Sequence, residues 1–103
     1  MNSNPNSNEI FSTVSDIIVD ALRIGAERIK RESSIFLDFG AESLDILDIQ
    51  FRIERTYGFK IDRGEIIQSL GEGLSDQEIG EKFTVGNLVQ FIENRLKKSS
   101  SVS

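Results

Sequence analysis

The sequence predicts an all-α fold, a small bundle of unequal helices around one core. Three observations carry that prediction. Apolar residues recur at helical spacing near both ends of the chain: Ile10, Val14, Ile17, Ile18, Ala21 and Leu22 at one, and Val85, Leu88, Val89, Ile92 and Leu96 at the other. No alternating apolar–polar run is long enough for a strand. The length, 103 residues of which 38% are hydrophobic, supplies one core but not two layers around a deep cleft.

Residues 1–8 are Asn, Ser and Pro after the initial Met, without apolar periodicity, and predict a disordered leader; residues 98–103 predict a disordered tail. The domain between them is 9–97. Its first helix spans about 9–24, with Asn8 as cap and Gly25 just past the end. Residues 23–40 follow as a long ordered loop pinned by Ile29, Ile35, Phe36, Leu37 and Phe39, and loops of that length are uncommon without a role. The second helix is 43–57. Leu44, Leu47, Ile49, Phe51 and Ile53 spread around it, so it is apolar on more than one side, and Gly58 ends it.

Residues 62–70 predict a short helix striped by Ile66, Ile67 and Leu70 and broken by Gly71 and Gly73. Ser75-Asp76-Gln77-Glu78 has the capping-box pattern and starts another short helix. Thr84 caps the last helix, whose apolar face has Phe91 beside it.

Composition narrows function. There are 17 Asp and Glu against 12 Lys and Arg, a net charge of -5. An acidic chain is poorly suited to displacing counterions from nucleic acid and favours partners with basic surfaces. Cysteine is absent, so there is neither a disulfide framework nor a thiolate zinc site. Histidine is absent too, which removes the commonest general base and argues against an enzyme acting alone. No apolar run suffices to insert into a membrane, and the first residues lack the order of a signal peptide, so the expected location is the cytoplasm.

The informative stretch is Asp38-Phe39-Gly40-Ala41-Glu42-Ser43-Leu44-Asp45. It is a glycine-containing loop opening onto a helix, with a serine at the opening. Unpaired N–H groups and positive partial charge at a helix start suit a phosphate attached to Ser43. Serine is equally a favoured N-cap, and the residues by themselves leave both readings open. Asp45, Asp48 and Glu54 lack the ligand spacing of a calcium loop, and a solvated helix face accounts for them better than a metal site.

This stretch resembles the modification motif of acyl carrier proteins, Asp-x-Gly-Ala-Asp-Ser-Leu-Asp. The likeness extends from Val14 through Ile61 and resumes at Thr84-Val85, covering most of the domain. It implies a four-helix bundle with an extended third-helix region. It implies that Ser43 receives 4'-phosphopantetheine, covalently, from CoA, within a motif completed by Asp38, Gly40 and Leu44. Glu42 departs from the family's usual Asp but keeps the charge. The resemblance also implies a carrier rather than an enzyme: a monomer loaded by a phosphopantetheinyl transferase, which delivers thioester-bound acyl groups to synthases, reductases or acyltransferases with basic docking surfaces. Asp45, Leu47, Asp48, Phe51 and Glu54 then become docking residues, with core packing as the alternative for Phe51. The absence of cysteine fits, because the only thiol would be on the arm. Arg52 and Arg55 depart from the acidic character of this helix; they either pair with neighbouring acids or exclude general partners by like charge.

The segment between Ile61 and Thr84 is longer than in an ordinary fatty-acid carrier. With Tyr57-Gly58-Phe59-Lys60-Ile61 before it, it resembles the specialised carriers of very-long-chain hydroxy acids in lipid A. The alternatives are a tolerated surface insertion, a carrier for a polyketide or peptide pathway, or an unmodified helical interaction module.

Overall fold

The computed structural model describes residues 5–100, and side chains for 5–98. Five helices follow in order: α1 (Ser7–Leu22), α2 (Ser43–Tyr57), α3 (Arg63–Leu70), α4 (Asp76–Lys82) and α5 (Val85–Ser100), with a 3-10 turn at Ala26–Arg28. Among the described residues the sole β feature is an isolated antiparallel bridge between Ser34 and Thr84. The predicted all-α class is what is found.

α1 begins earlier than the periodicity suggests. The Asn6 side chain accepts the Glu9 N–H at 2.8 Å, and the Glu9 carboxylate accepts the Asn6 N–H at 2.9 Å. This reciprocal box makes Asn6, not Asn8, the cap and takes Ser7 and Asn8 out of the expected leader. Residues 1–4 of that leader lie outside the described residues. At the other end Arg23 adopts φ 57 and donates its N–H to Val19 O, closing the helix at Leu22 rather than Ile24. α5 extends through Ser100, so the expected tail is helical over 98–100, and 101–103 lie outside the described residues.

α1 packs against α2 and α5. The core is built from Ile10, Val14, Ile17 and Ile18 of α1, Ile46, Ile49 and Ile53 of α2, and Val85, Leu88, Val89 and Ile92 of α5. Each such side chain contributes about 1.5–3 kcal/mol when fully buried.

The loop before α2 is pinned by buried Ile29 and Ile35 and half-buried Phe36 and Phe39. Leu37 is the exception: expected as a pin, it is 64% exposed. The loop is tied to the α4–α5 junction by four hydrogen bonds. Ile35 N–H donates to Phe83 O and Val85 N–H to Ser33 O, each at 3.0 Å, and Gly86 N–H donates to Arg31 O at 2.8 Å. Ser34 Oγ donates to Gly80 O at 2.8 Å. A Cβ on Gly86 would lie 2.9 Å from the Arg31 carbonyl oxygen, so glycine permits this close approach. The Phe36 and Phe83 rings meet at 5.6 Å across the same junction.

α3 and α4 form the long segment after α2. Their approach is fixed at Ile61, whose carbonyl accepts from Gln50 Nε2 at 2.9 Å and whose N–H donates to the Glu54 carboxylate at 2.7 Å. Asp62 caps α3 through the Gly64 N–H. α3 packs on α4 and α5. Arg95 of α5 reaches Glu65 at 3.4 Å and covers the Phe59 ring at 4.9 Å. The predicted Ser75–Glu78 box starts α4, and Thr84 Oγ1 accepts the Asn87 N–H at 3.1 Å to start α5.

Candidate functional site

The site is the entry to α2. A turn built on Ser34 sets it up. The Asp38 carboxylate accepts the Ser34 N–H at 2.6 Å, and the Ser34 hydroxyl accepts the Leu37 N–H at 3.0 Å. Arg28 holds the far side, donating to the Asp38 carbonyl at 3.0 Å with its guanidinium over the Phe39 ring. Gly40 then turns the chain with φ 66. Open space surrounds its missing side chain, so the backbone alone calls for glycine there. Buried Ala41 donates its N–H to Ile35 O at 3.2 Å and locks the last step.

Glu42 is the N-cap of α2, and its N–H donates to the Asp45 carboxylate at 2.9 Å. Ser43 is therefore the first helical residue and not the cap, which removes the reading of Ser43 as a structural N-cap. It is exposed, and its hydroxyl has no hydrogen-bond partner among the described residues. A free hydroxyl beside the unpaired N–H groups of a first helical turn fits a phosphodiester. Asp38 and Gly40 shape the chain that delivers Ser43, since the Asp38 carboxylate is already engaged by Ser34.

The rest of α2 divides into two faces. Ile46, Ile49 and Ile53 are buried, and the opposite side carries Leu44, Leu47 and Phe51, exposed by 78%, 38% and 52%. Phe51 is thus a surface residue and not a core one. Asp48 pairs with Arg52 at 3.0 Å, which settles one half of the question about the arginines; Arg55 is exposed with no ion pair among the described residues. Glu54 directs a carboxylate oxygen to the Ile61 N–H, so it holds the turn after α2.

Behind the site, Phe36, Ile46, Gln50, Ile66, Ile67, Leu70, Ile79 and Phe83 line a cavity of about 40 Å³ with Arg63 beside them. That is room for a few solvent-sized groups only. A second void shares Ile46, Gln50, Ile66 and Phe83 and continues toward Ile53, Ile61 and Leu88. Sequence reasoning singled out neither Gln50 nor the pairing of Phe36 with Phe83. One is polar on a buried flank, and the other two lie far apart in the chain.

Residues 12–72 match the family described as "Phosphopantetheine attachment site". The chain is 40% identical to the acyl carrier protein AcpXL of Rhizobium meliloti (strain 1021), over 81% of its own length and 85% of that relative's. It is 32% identical to the acyl carrier protein of Thermotoga maritima, over 85% and 93% of the two lengths. It is 37% identical to AcpXL of Brucella melitensis biotype 1, over 81% and 87%.

Proposed function

Because the chain belongs to the acyl carrier protein family, we propose that Ser43 is its attachment residue and that it delivers acyl groups to enzymes of fatty-acid or lipid biosynthesis. Members of this family are carriers and not enzymes, and the matched domain is where they attach 4'-phosphopantetheine covalently. Attached, that group supplies the thiol that this cysteine-free chain lacks.

The observation that carries the assignment is the exposed, unbonded Ser43 hydroxyl at the first position of α2, inside the matched segment. The first-turn N–H groups of α2 favour the negative phosphodiester formed there. Asp38 and Gly40 hold the preceding loop so that Ser43 stays presented to a transferase. Glu42 and Asp45 give the Ser43 end of α2 a negative field that attracts basic docking surfaces, and Leu44, Leu47 and Phe51 supply the apolar contact.

The segment after α2 supports the specialised subtype. α3 and α4 contribute Ile66, Ile67, Leu70 and Ile79 to the cavity, so an acyl chain entering it would meet this segment. Two of the relatives above carry the name AcpXL.

The test is intact mass after incubation with CoA, magnesium and a broad phosphopantetheinyl transferase. The wild type gains one phosphopantetheine mass and one titratable thiol; Ser43→Ala gains neither. Labelling that persists in Ser43→Ala overturns the assignment.

A further inference from the structure

The exposed face of α2 changes sign along its length. At the Ser43 end stand Glu42 and Asp45. In the middle, Asp48 is neutralised by Arg52 at 3.0 Å. At the far end, Phe51, Glu54, Arg55, Gly58, Phe59 and Lys60 line a shallow surface groove. Phe51 and Phe59 are its aromatic lining residues, and its two lining cations, Arg55 and Lys60, are exposed and have no ion pair among the described residues. Glu54, the one acid in the groove, turns a carboxylate oxygen to the Ile61 N–H and keeps its charge, so the two cations outnumber it. Arg55 lies ten residues beyond Asp45, a separation of about 15 Å at the rise of an α-helix.

A cation in the last turn of a helix is stabilised by the helix dipole. That accounts for Arg55 but not for Lys60, which lies beyond the helix, nor for a half-exposed phenylalanine beside them.

We infer that this groove is a second docking point, taking an acidic segment with an apolar side chain from a partner enzyme whose basic surface meets the Ser43 end. The inference rests on the carrier reading and adds which partners fit. Attraction at both ends requires a surface of mixed sign, positive near the arm and negative about 15 Å away. A uniformly basic surface gains at Glu42 and Asp45 but meets like charge at Arg55 and Lys60, which is selection by repulsion.

The test uses two synthetic helical peptides with the same leucine and phenylalanine stripe. One carries lysines at one end and glutamates at the other; the second carries lysines throughout. Binding to the full-length protein is followed by amide chemical shifts. The bipolar peptide is expected to bind at least about tenfold tighter, with shifts that reach Phe51, Arg55 and Lys60 as well as the Ser43 end. Arg55→Glu with Lys60→Glu should reverse the order, and Arg55→Ala with Lys60→Ala should bring the two peptides near parity. Equal binding by the wild type, or an order that neither pair of substitutions changes, overturns the inference. Ser43→Ala should bind the bipolar peptide as the wild type does, and the Arg55→Glu, Lys60→Glu protein should still be loaded with phosphopantetheine. Failure of the groove and failure of the carrier reading are therefore separate results.

Discussion

The Asp38 carboxylate accepts the Ser34 N–H at 2.6 Å, and the Asp38 N–H returns to the Ser34 carbonyl at 2.9 Å. This closed pair fixes the turn that leads to Ser43. Asp38→Ala should cost about 1.5–3 kcal/mol in chemical denaturation, the range for a hydrogen bond to a charged group. Asp38→Asn, which keeps an acceptor oxygen, should cost less. Both should slow loading of Ser43 in the order of their stability loss, and full-rate loading of Asp38→Ala would mean that the turn does not govern presentation.

Asp45 and Asp48 should behave differently when reversed to lysine. Asp45 accepts the Glu42 N–H at the start of α2, so Asp45→Lys should cost about 1 kcal/mol through the lost cap contact and the helix dipole. Asp48→Lys breaks only an exposed pair with Arg52, worth about 0.3–0.5 kcal/mol. Transfer to an enzyme with a basic docking surface should slow in both, more in Asp45→Lys because the Asp48 charge is already offset. The differences should shrink as salt is raised. Equal rates for both variants and wild type at low salt would remove this end of α2 from docking.

Burial raises the Tyr57 hydroxyl above its usual pKa of 10.0, and the Thr13 side chain beside it lowers it by less. A folded-state pKa above the unfolded one gives stability that is complete below the unfolded pKa and lost as pH rises through the folded pKa. Stability should therefore decline above about pH 10. Tyr57→Phe should flatten that alkaline decline, measured by chemical denaturation on either side of the tyrosine range. Glu78 gives the opposite case. The Ser75 N–H holds its carboxyl below the usual range, so the contribution of this cap is present above the unfolded pKa and lost as pH falls through the folded one. Amide protection factors in α4, corrected for the intrinsic pH dependence of exchange, should fall there, and Glu78→Gln should remove that part of the acid dependence.

The cavity of about 40 Å³ cannot receive a long alkyl chain without movement of its walls. Acyl-loaded proteins of increasing chain length should be progressively more stable, by up to about 0.8 kcal/mol per buried methylene, and melt at correspondingly higher temperature. Exchange at Ile66, Ile67 and Ile79 should respond to that length. Deleting residues 72–79, which keeps Gly80 and its carbonyl bond to Ser34, should abolish the response to the longer chains. A response unchanged by the deletion would assign the segment to the surface.

The parts of this architecture that were legible in the sequence are those fixed by local chemistry. α2 begins and ends as read because Glu42 and Gly58 bound an uninterrupted run, and the Ser75 box starts α4 as its spacing predicts. The start of α1 was misplaced because several residues of an Asn- and Ser-rich run can cap, and only the reciprocal contact with Glu9 selects Asn6. Leu37 reads as a pin because it is apolar, yet the turn on Ser34 points the backbone so that it faces solvent. The inward role of Glu54 depends on Ile61 returning to within 2.7 Å, a tertiary fact that helical periodicity does not contain. The candidate serine was legible by position, but its freedom from capping needed the coordinates.

The four hydrogen bonds between 31–35 and 80–86 bear on how this chain can change length. Residues added around Gly71 or Gly73 lengthen the connection between α3 and α4 and leave all four bonds in place, at a small entropic cost. One residue added between Gly80 and Gly86 displaces some of the carbonyls and N–H groups relative to the others, so the bonds can no longer form together. Gains and losses of sequence in this lineage should then accumulate in the first of these stretches, while the spacing from Gly80 to Gly86 stays constant.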